Sequence, residues 1–301
     1  MMPKLLILFA ILSSISSAQD YITNSGLRDE PVNPRVPKTY DIDLDQNYTQ
    51  QWAPILEDLG EAIQVFIYGM ATTNGGGSMG LLGNGEIPSW ALGLLNYTIL
   101  ASYNQNWADE LLAIAQLLNL SFNEVALLNF MYDLTAECTS IVVQDSQNNV
   151  FHARNLDFPY APFLANITFH GRYFRGGDLI YEAIGLAGYT GLLTGFKNNS
   201  FTLSINQFLF TRNATLWDNV GIIVLDVAQI AQGYLSPPLV ARQAFENLTN
   251  YGDLVEFLSN TNVVSNVFYI IAGTQPGQGE VITRFRNSIE NTTTLDVDNG
   301  Q

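Results

Sequence analysis

The spacing of apolar residues divides the chain into a helical first half and a strand-rich second half. Over residues 52–66 the apolar side chains recur every three or four positions, which is the period of an amphipathic helix. Two more helices are predicted at about 107–119 and 121–134. Ser121 and Glu124 form a capping box at the start of the second of these.

After residue 137 the pattern changes to short runs rich in β-branched and aromatic residues, which are typical of strands. Residues 138–144 and 150–156 flank a polar turn and predict a hairpin. Further strands are predicted at 40–44, 167–172, 178–183, 200–206, 267–272 and 281–284, and further helices near 219–232, 238–248 and 252–259. The chain is therefore predicted to be an α+β protein whose first 137 residues are mostly helical.

The N-terminus has the pattern of a secretory signal peptide over residues 1–18. A basic start ending at Lys4 precedes an apolar run over 5–12 and small residues up to Ala18, and this run is shorter than the about 20 residues of a membrane span. Eight N-x-Ser/Thr triplets are candidates for glycosylation, at Asn47, Asn96, Asn119, Asn166, Asn198, Asn213, Asn247 and Asn291. We therefore expect a secreted or lysosomal glycoprotein.

The composition excludes several classes of function. With 28 Asp and Glu against 12 Lys and Arg, the chain would repel the phosphates of nucleic acid. One cysteine and two histidines are too few for an ordinary zinc site, and we expect no metal and no cofactor. The glycine-rich residues 72–85 lack the lysine of a phosphate-binding loop, so a flexible loop is the expected structure.

The single cysteine, Cys138, lies at the start of the predicted hairpin and has no cysteine to pair with. If the hairpin turns through two residues at 147–148, Cys138 lies directly opposite Asp157. In that register Arg154 pairs with Ile141 and points to the opposite face, so it needs a bulge or a twist to reach the sulfur.

Three interpretations of Cys138 remain open from the residues alone. The thiol could be a buried structural group, it could be activated by a histidine, or it could become the first residue of a new chain. In the third case the Glu137–Cys138 bond is broken, and the new α-amino group serves as the base for the thiol. His152 lies near Arg154 on the second strand and is expected to be a packed or surface residue.

Several segments resemble the family of acid ceramidases and N-acylethanolamine acid amidases. The strongest resemblance lies at 138–142 (Cys-Thr-Ser-Ile-Val), 144–146 (Gln-Asp-Ser) and 152–157 (His-Ala-Arg-Asn-Leu-Asp), with further similarity at 34–59, 188–196, 273–275 and 281–284. The resemblance implies an N-terminal-nucleophile hydrolase with an αββα sandwich. It also implies self-cleavage into an α segment, residues 19–137 after the signal peptide, and a β segment, residues 138–301.

The resemblance assigns roles to individual residues. Cys138 would be the nucleophile and, through its α-amino group, the base; Asp157 would position that amine and Arg154 would support the nucleophile. Residues expected to support the site or bind substrate are Tyr189, Asn206 and Gln207. Gln207 stands where the family usually has a glutamate. The chain also ends before the family's Thr-Asn-Tyr-Asp-type block, which carries an oxyanion-hole asparagine, so we expect the β segment to be incomplete.

The expected activity is hydrolysis of a lipid amide. N-acylethanolamines are the first candidate substrates, ceramide is the alternative, and a catalytically impaired lipid-binding protein is a third interpretation. The apolar residues 88–101 either contact a membrane or micelle surface or pack in the core. The remaining expected partners are the two segments of the same precursor.

Overall fold

The computed structural model describes residues 36–72, 98–99, 105–135, 137–157, 161–207 and 216–295. The predicted signal peptide, the glycine-rich loop, nearly all of the apolar segment 88–101, and the sequons at Asn96 and Asn213 lie outside these residues. From Lys38 onward the chain forms one compact unit.

Helices dominate the first half of this unit and recur in the second. They are α1 (Tyr48–Thr72), α2 (Gln105–Leu118), α3 (Phe122–Thr135), α4 (Ala161–Ile167), α5 (Leu216–Ala231), α6 (Pro237–Asn247) and α7 (Tyr251–Asn260). All the helices predicted at these places are present. The capping box also forms, because the Ser121 N–H donates to Glu124 Oε2 at 2.7 Å and the Glu124 N–H donates to Ser121 Oγ at 3.3 Å.

The strands form one large sheet and one separate hairpin. The strands are β1 (Lys38–Asp43), β2 (Glu137–Gln144), β3 (Val150–Asp157), β4 (Thr168–Arg175), β5 (Asp178–Leu186), β6 (Thr194–Lys197), β7 (Phe201–Gln207), β8 (Val267–Gly273), β9 (Gly279–Arg284) and β10 (Ile289–Thr294). The eight-stranded sheet has the order β1-β4-β5-β6-β7-β8-β9-β10, and β2 pairs with β3 alone. Only β1 and β4 pair in parallel among the described strands.

The large sheet lies between the hairpin and the helices α6 and α7. Strand β7 shows this best, because its side chains alternate between the two sides. Phe201 packs against Phe245 of α6, with ring centroids 5.1 Å apart. Thr202, the next residue, bonds to His152 of the hairpin instead. The described part of the chain therefore contains two stacked sheets with a helical layer on one side, which are three of the four layers of the predicted αββα sandwich.

A buried ion pair joins the first half of the chain to the second. Arg242 on α6 donates from Nη1 to both carboxylate oxygens of Glu110 on α2, at 2.8 and 2.7 Å. Glu110 also accepts from Trp52 Nε1, and Arg242 also bonds to Glu246 and to the carbonyl of Thr190. Burial by itself would lower the pKa of Arg242, but the two carboxylates outweigh it and raise that pKa.

Within the residues described, no helix combines the length and the apolar character that crossing a membrane requires.

Candidate active site

The hairpin that carries Cys138 turns through three residues, one more than the two-residue turn predicted from the sequence. Asp145 N–H donates to the Asn149 carbonyl, and the Asp145 carboxylate accepts from the N–H groups of Gln147 and Asn149. Asn148 adopts a left-handed backbone with φ of 67°, which asparagine tolerates better than most residues. This loop shifts the pairing of the two strands by one residue.

The predicted pairing of Cys138 with Asp157 is therefore wrong. Cys138 lies opposite Leu156, Asp157 lies opposite Glu137, and Arg154 lies opposite Ser140. Because side chains alternate along a strand, the shift moves Arg154 to the face that Cys138 occupies. The side chain of Asp157 lies outside the described part of the structure, so its role stays a prediction.

The guanidinium of Arg154 lies against the thiol without the bulge that we expected. Its Nη2 donates to Cys138 Sγ at 3.2 Å and to the carbonyl of Ile205 at 3.0 Å, while Nη1 donates to Thr194 Oγ1. The last two contacts hold the guanidinium to the large sheet. A fixed positive charge beside sulfur stabilises the thiolate, the reactive form of cysteine.

Polar side chains continue from this pair along the space between the two sheets. We call this set the polar seam; it consists of Cys138, Ser140, His152, Arg154, Thr194, Thr202, Ser204 and Asn206. Four of these residues were not predicted from the sequence as site residues: Ser140, Thr194, Thr202 and Ser204. The alternation Thr202-Leu203-Ser204-Ile205-Asn206 was the available signal, because it puts polar groups on one face of a buried strand.

His152 is a packed residue of the seam, in agreement with its predicted role. Its Nδ1 lies 2.7 Å from Thr202 Oγ1 and its Nε2 lies 2.8 Å from Ser204 Oγ. Burial, and to a smaller extent the charge of Arg154, lowers the pKa of His152 from 6.5 to about 4. Both ring nitrogens are occupied by hydroxyl groups, which does not suit a histidine that must activate the thiol.

The three predicted supporting residues occupy different places. The Asn206 side chain contacts Cys138 directly, because its Nδ2 donates to the Cys138 carbonyl at 3.3 Å. Gln207 is half-buried at the end of β7, where it pairs with Val267. Tyr189 is buried in the hydrophobic core. Roles for Gln207 and Tyr189 in substrate binding stay predictions.

The described residues contain no group of His, Cys, Asp or Glu side chains that could hold a metal ion. The chemistry that the seam offers is nucleophilic attack by a cysteine whose thiolate is stabilised by arginine. Acyl transfer from an amide is a reaction that such a thiol performs.

A comparison with protein families indicates which type of bond this site acts on. Residues 138–279 match the linear amide C–N hydrolases of the choloylglycine hydrolase family, and the match begins at Cys138. With the relatives described below, this match shows that the protein is a hydrolase that acts on amide bonds.

Individual relatives indicate which amide hydrolases the chain is similar to. The N-acylethanolamine-hydrolyzing acid amidase of Mus musculus is 29% identical over 278 residues, which cover 90% of this chain and 70% of the mouse protein. The acid ceramidase of Balaenoptera acutorostrata scammoni is 26% identical over 268 residues, which cover 82% of this chain and 63% of the whale protein. A solved structure of the Caenorhabditis elegans ortholog of N-acylethanolamine-hydrolyzing acid amidase is 31% identical, with a TM-score of 0.46, over 53% of this chain and 64% of that one. The sequence matches to the mouse and whale proteins make the chain a homologue of these amidases and ceramidases.

Proposed function

We propose that this protein hydrolyses N-acylethanolamines to a fatty acid and ethanolamine, with Cys138 as the nucleophile. The observation that carries the proposal is the 3.2 Å contact between Arg154 Nη2 and Cys138 Sγ, in a chain whose amidase match begins at that cysteine. The relatives named for this reaction support the choice of substrate.

The proposal includes a self-cleavage step. The Cys138 thiolate attacks the carbonyl carbon of Glu137, the C–N bond breaks, and the nitrogen takes up a proton to become the α-amino group of Cys138. Water then hydrolyses the thioester, which releases the Glu137 carboxylate and regenerates the thiol. The product has Cys138 as the first residue of a second chain.

Turnover repeats the same chemistry on the lipid. The α-amino group of Cys138 accepts the thiol proton, Sγ attacks the acyl carbonyl, and the proton passes to the departing nitrogen of ethanolamine. Water then hydrolyses the acyl thioester to the free fatty acid. In this scheme Arg154 stabilises the thiolate before each attack, and Asp157 orients the amine.

The proposed setting is the lysosome or the extracellular space, reached through the signal peptide over residues 1–18. Accessibility of the predicted glycosylation sites supports this setting. The asparagines Asn47, Asn119, Asn166, Asn198, Asn247 and Asn291 are all exposed. In the apolar segment 88–101 the described residues Thr98 and Ile99 are buried, which supports core packing over contact with a lipid surface at that end.

Ceramide is the second candidate substrate, favoured by the acid ceramidases among the relatives. A third possibility is a lipid-binding protein with impaired catalysis, which Gln207 favours because an amide cannot replace a carboxylate as a proton acceptor.

The test is a paired hydrolysis assay on the purified, secreted chain in acidic buffer. An N-acylethanolamine and a ceramide with the same acyl chain are supplied in identical detergent micelles, and released fatty acid is measured. We expect faster release from the N-acylethanolamine and none by Cys138→Ala. The matched control is Ser288→Ala, which changes an exposed serine in the loop between β9 and β10, outside the seam and outside the predicted glycosylation triplets. Release from ceramide alone would favour the second candidate, and binding of both lipids without release would favour the third.

A further inference from the structure

We infer that His152 and Ser140 are positioning residues for the nucleophile, because they complete a hydrogen-bond chain that ends on the carbonyl of Cys138. Only the expected effect on catalysis rests on the proposed function. The direction of the chain follows from the geometry of the seam alone.

The direction is set at the Cys138 end. A backbone carbonyl can only accept a hydrogen bond, so Asn206 must present its amide nitrogen to Cys138, and the contact is 3.3 Å. The amide oxygen of Asn206 then faces Ser140 Oγ at 2.9 Å, and an amide oxygen also only accepts. Ser140 therefore donates its hydroxyl proton to Asn206.

The same reasoning continues to the histidine. With its proton committed, Ser140 accepts from Ser204, whose hydroxyl lies 2.8 Å away and is fully buried. Ser204 must then accept from His152 Nε2 at 2.8 Å, so the proton of the neutral ring is on Nε2. Nδ1 is left as an acceptor for the hydroxyl of Thr202 at 2.7 Å. The seam thus admits one tautomer of His152.

This chain matters most after self-cleavage. Cys138 then loses its covalent link to Glu137, and the bond from Asn206 to its carbonyl is one of the contacts that still hold the residue in place. If Ser140 cannot donate, the side-chain amide of Asn206 can rotate and leave that carbonyl. The thiol then loses a fixed position relative to the Arg154 guanidinium.

The composition of the protein permits a direct test by NMR. There are only two histidines, so ¹⁵N-histidine labelling gives two rings, and the single cysteine gives one signal when its carbonyl is labelled with ¹³C. At neutral pH we expect His152 to be wholly the Nε2–H tautomer. Ser140→Ala should add the Nδ1–H tautomer and shift the Cys138 carbonyl signal, whereas Ser140→Thr and the control Ser288→Ala should leave both as in the parent protein.

The kinetic readout tests the positioning role. Ser140→Ala should lower kcat about tenfold, equivalent to about 1.4 kcal/mol, with KM unchanged, and Ser140→Thr should restore it. An Nδ1–H tautomer in the parent protein would overturn the chain, whatever the activity. An unshifted Cys138 carbonyl in Ser140→Ala would overturn the positioning role. An inactive parent protein with the expected spectra would instead count against the proposed function and leave the chain standing.

Discussion

Replacing Arg242 by methionine should destabilise the protein strongly, because the ion pair that it forms with Glu110 is buried. The Glu110 side chain is only 4% exposed and that of Arg242 is 15% exposed. Methionine keeps much of the apolar stem but leaves the Glu110 charge with Trp52 Nε1 as its remaining hydrogen-bond donor among the described contacts. Removing one partner of a buried pair costs about 3–5 kcal/mol, since the other charge stays desolvated.

Arg172→Met is the matched control, because Arg172 and Asp41 also form a two-bond pair, with both contacts at 2.6 Å. The difference is exposure, which is 43% for Arg172 and 56% for Asp41. We expect that substitution to cost less than about 1 kcal/mol. Urea unfolding should show the larger loss of stability for Arg242→Met. The Tm should drop on the order of 10 °C for that variant alone. Equal losses in the two variants would refute the reasoning.

Three further predictions concern pH, the guanidinium and a helix cap. Because folding lowers the pKa of His152 from 6.5 to about 4, stability should fall as pH drops through that window, by at most about 3 kcal/mol from this group. His152→Gln should show a smaller change in urea midpoint between neutral and acidic buffer. Arg154→Lys keeps the charge but not the forked contacts, so turnover should fall about 10- to 100-fold, and a parent-like rate would count against Arg154. Asn250→Ala removes the acceptor for the Asp253 N–H at the start of α7 and should cost about 1 kcal/mol in urea unfolding, with an unchanged midpoint contradicting the cap.

The elements could largely be predicted from the sequence, because the apolar period differs between helix and strand. The elements that were missed lack this signal. Strand β6 has four residues, and β10 (Ile289–Thr294) is exposed along its whole length, so neither shows alternating burial that a pattern could reveal. Helix α4 spans only seven residues. Short elements depend on their neighbours more than on their own sequence.

The candidate site, like the fold, has features that could be predicted from the sequence and features that could not. The residue types and spacing drew attention to Cys138 and Arg154, and the resemblance to the amidases and ceramidases gave their roles. The contact between the two side chains could not be predicted, because it depends on the hairpin register. That register follows from the left-handed backbone at Asn148 and the bonds that Asp145 makes across the loop. The hydroxyl groups that β7 contributes could not be assigned either, since the alternation along one strand does not say which other strand faces it.

The N-terminal sequence of the purified chain, taken after incubation in acidic buffer, tests the central claim most directly. We expect a new chain that begins Cys-Thr-Ser-Ile-Val, residues 138–142, and a partner fragment that ends at Glu137. Cys138→Ala should remain intact under the same conditions, and Ser288→Ala should be cleaved like the parent. A parent chain that stays whole, or a cut at the same bond in Cys138→Ala, would contradict the role of Cys138 as the self-cleaving nucleophile.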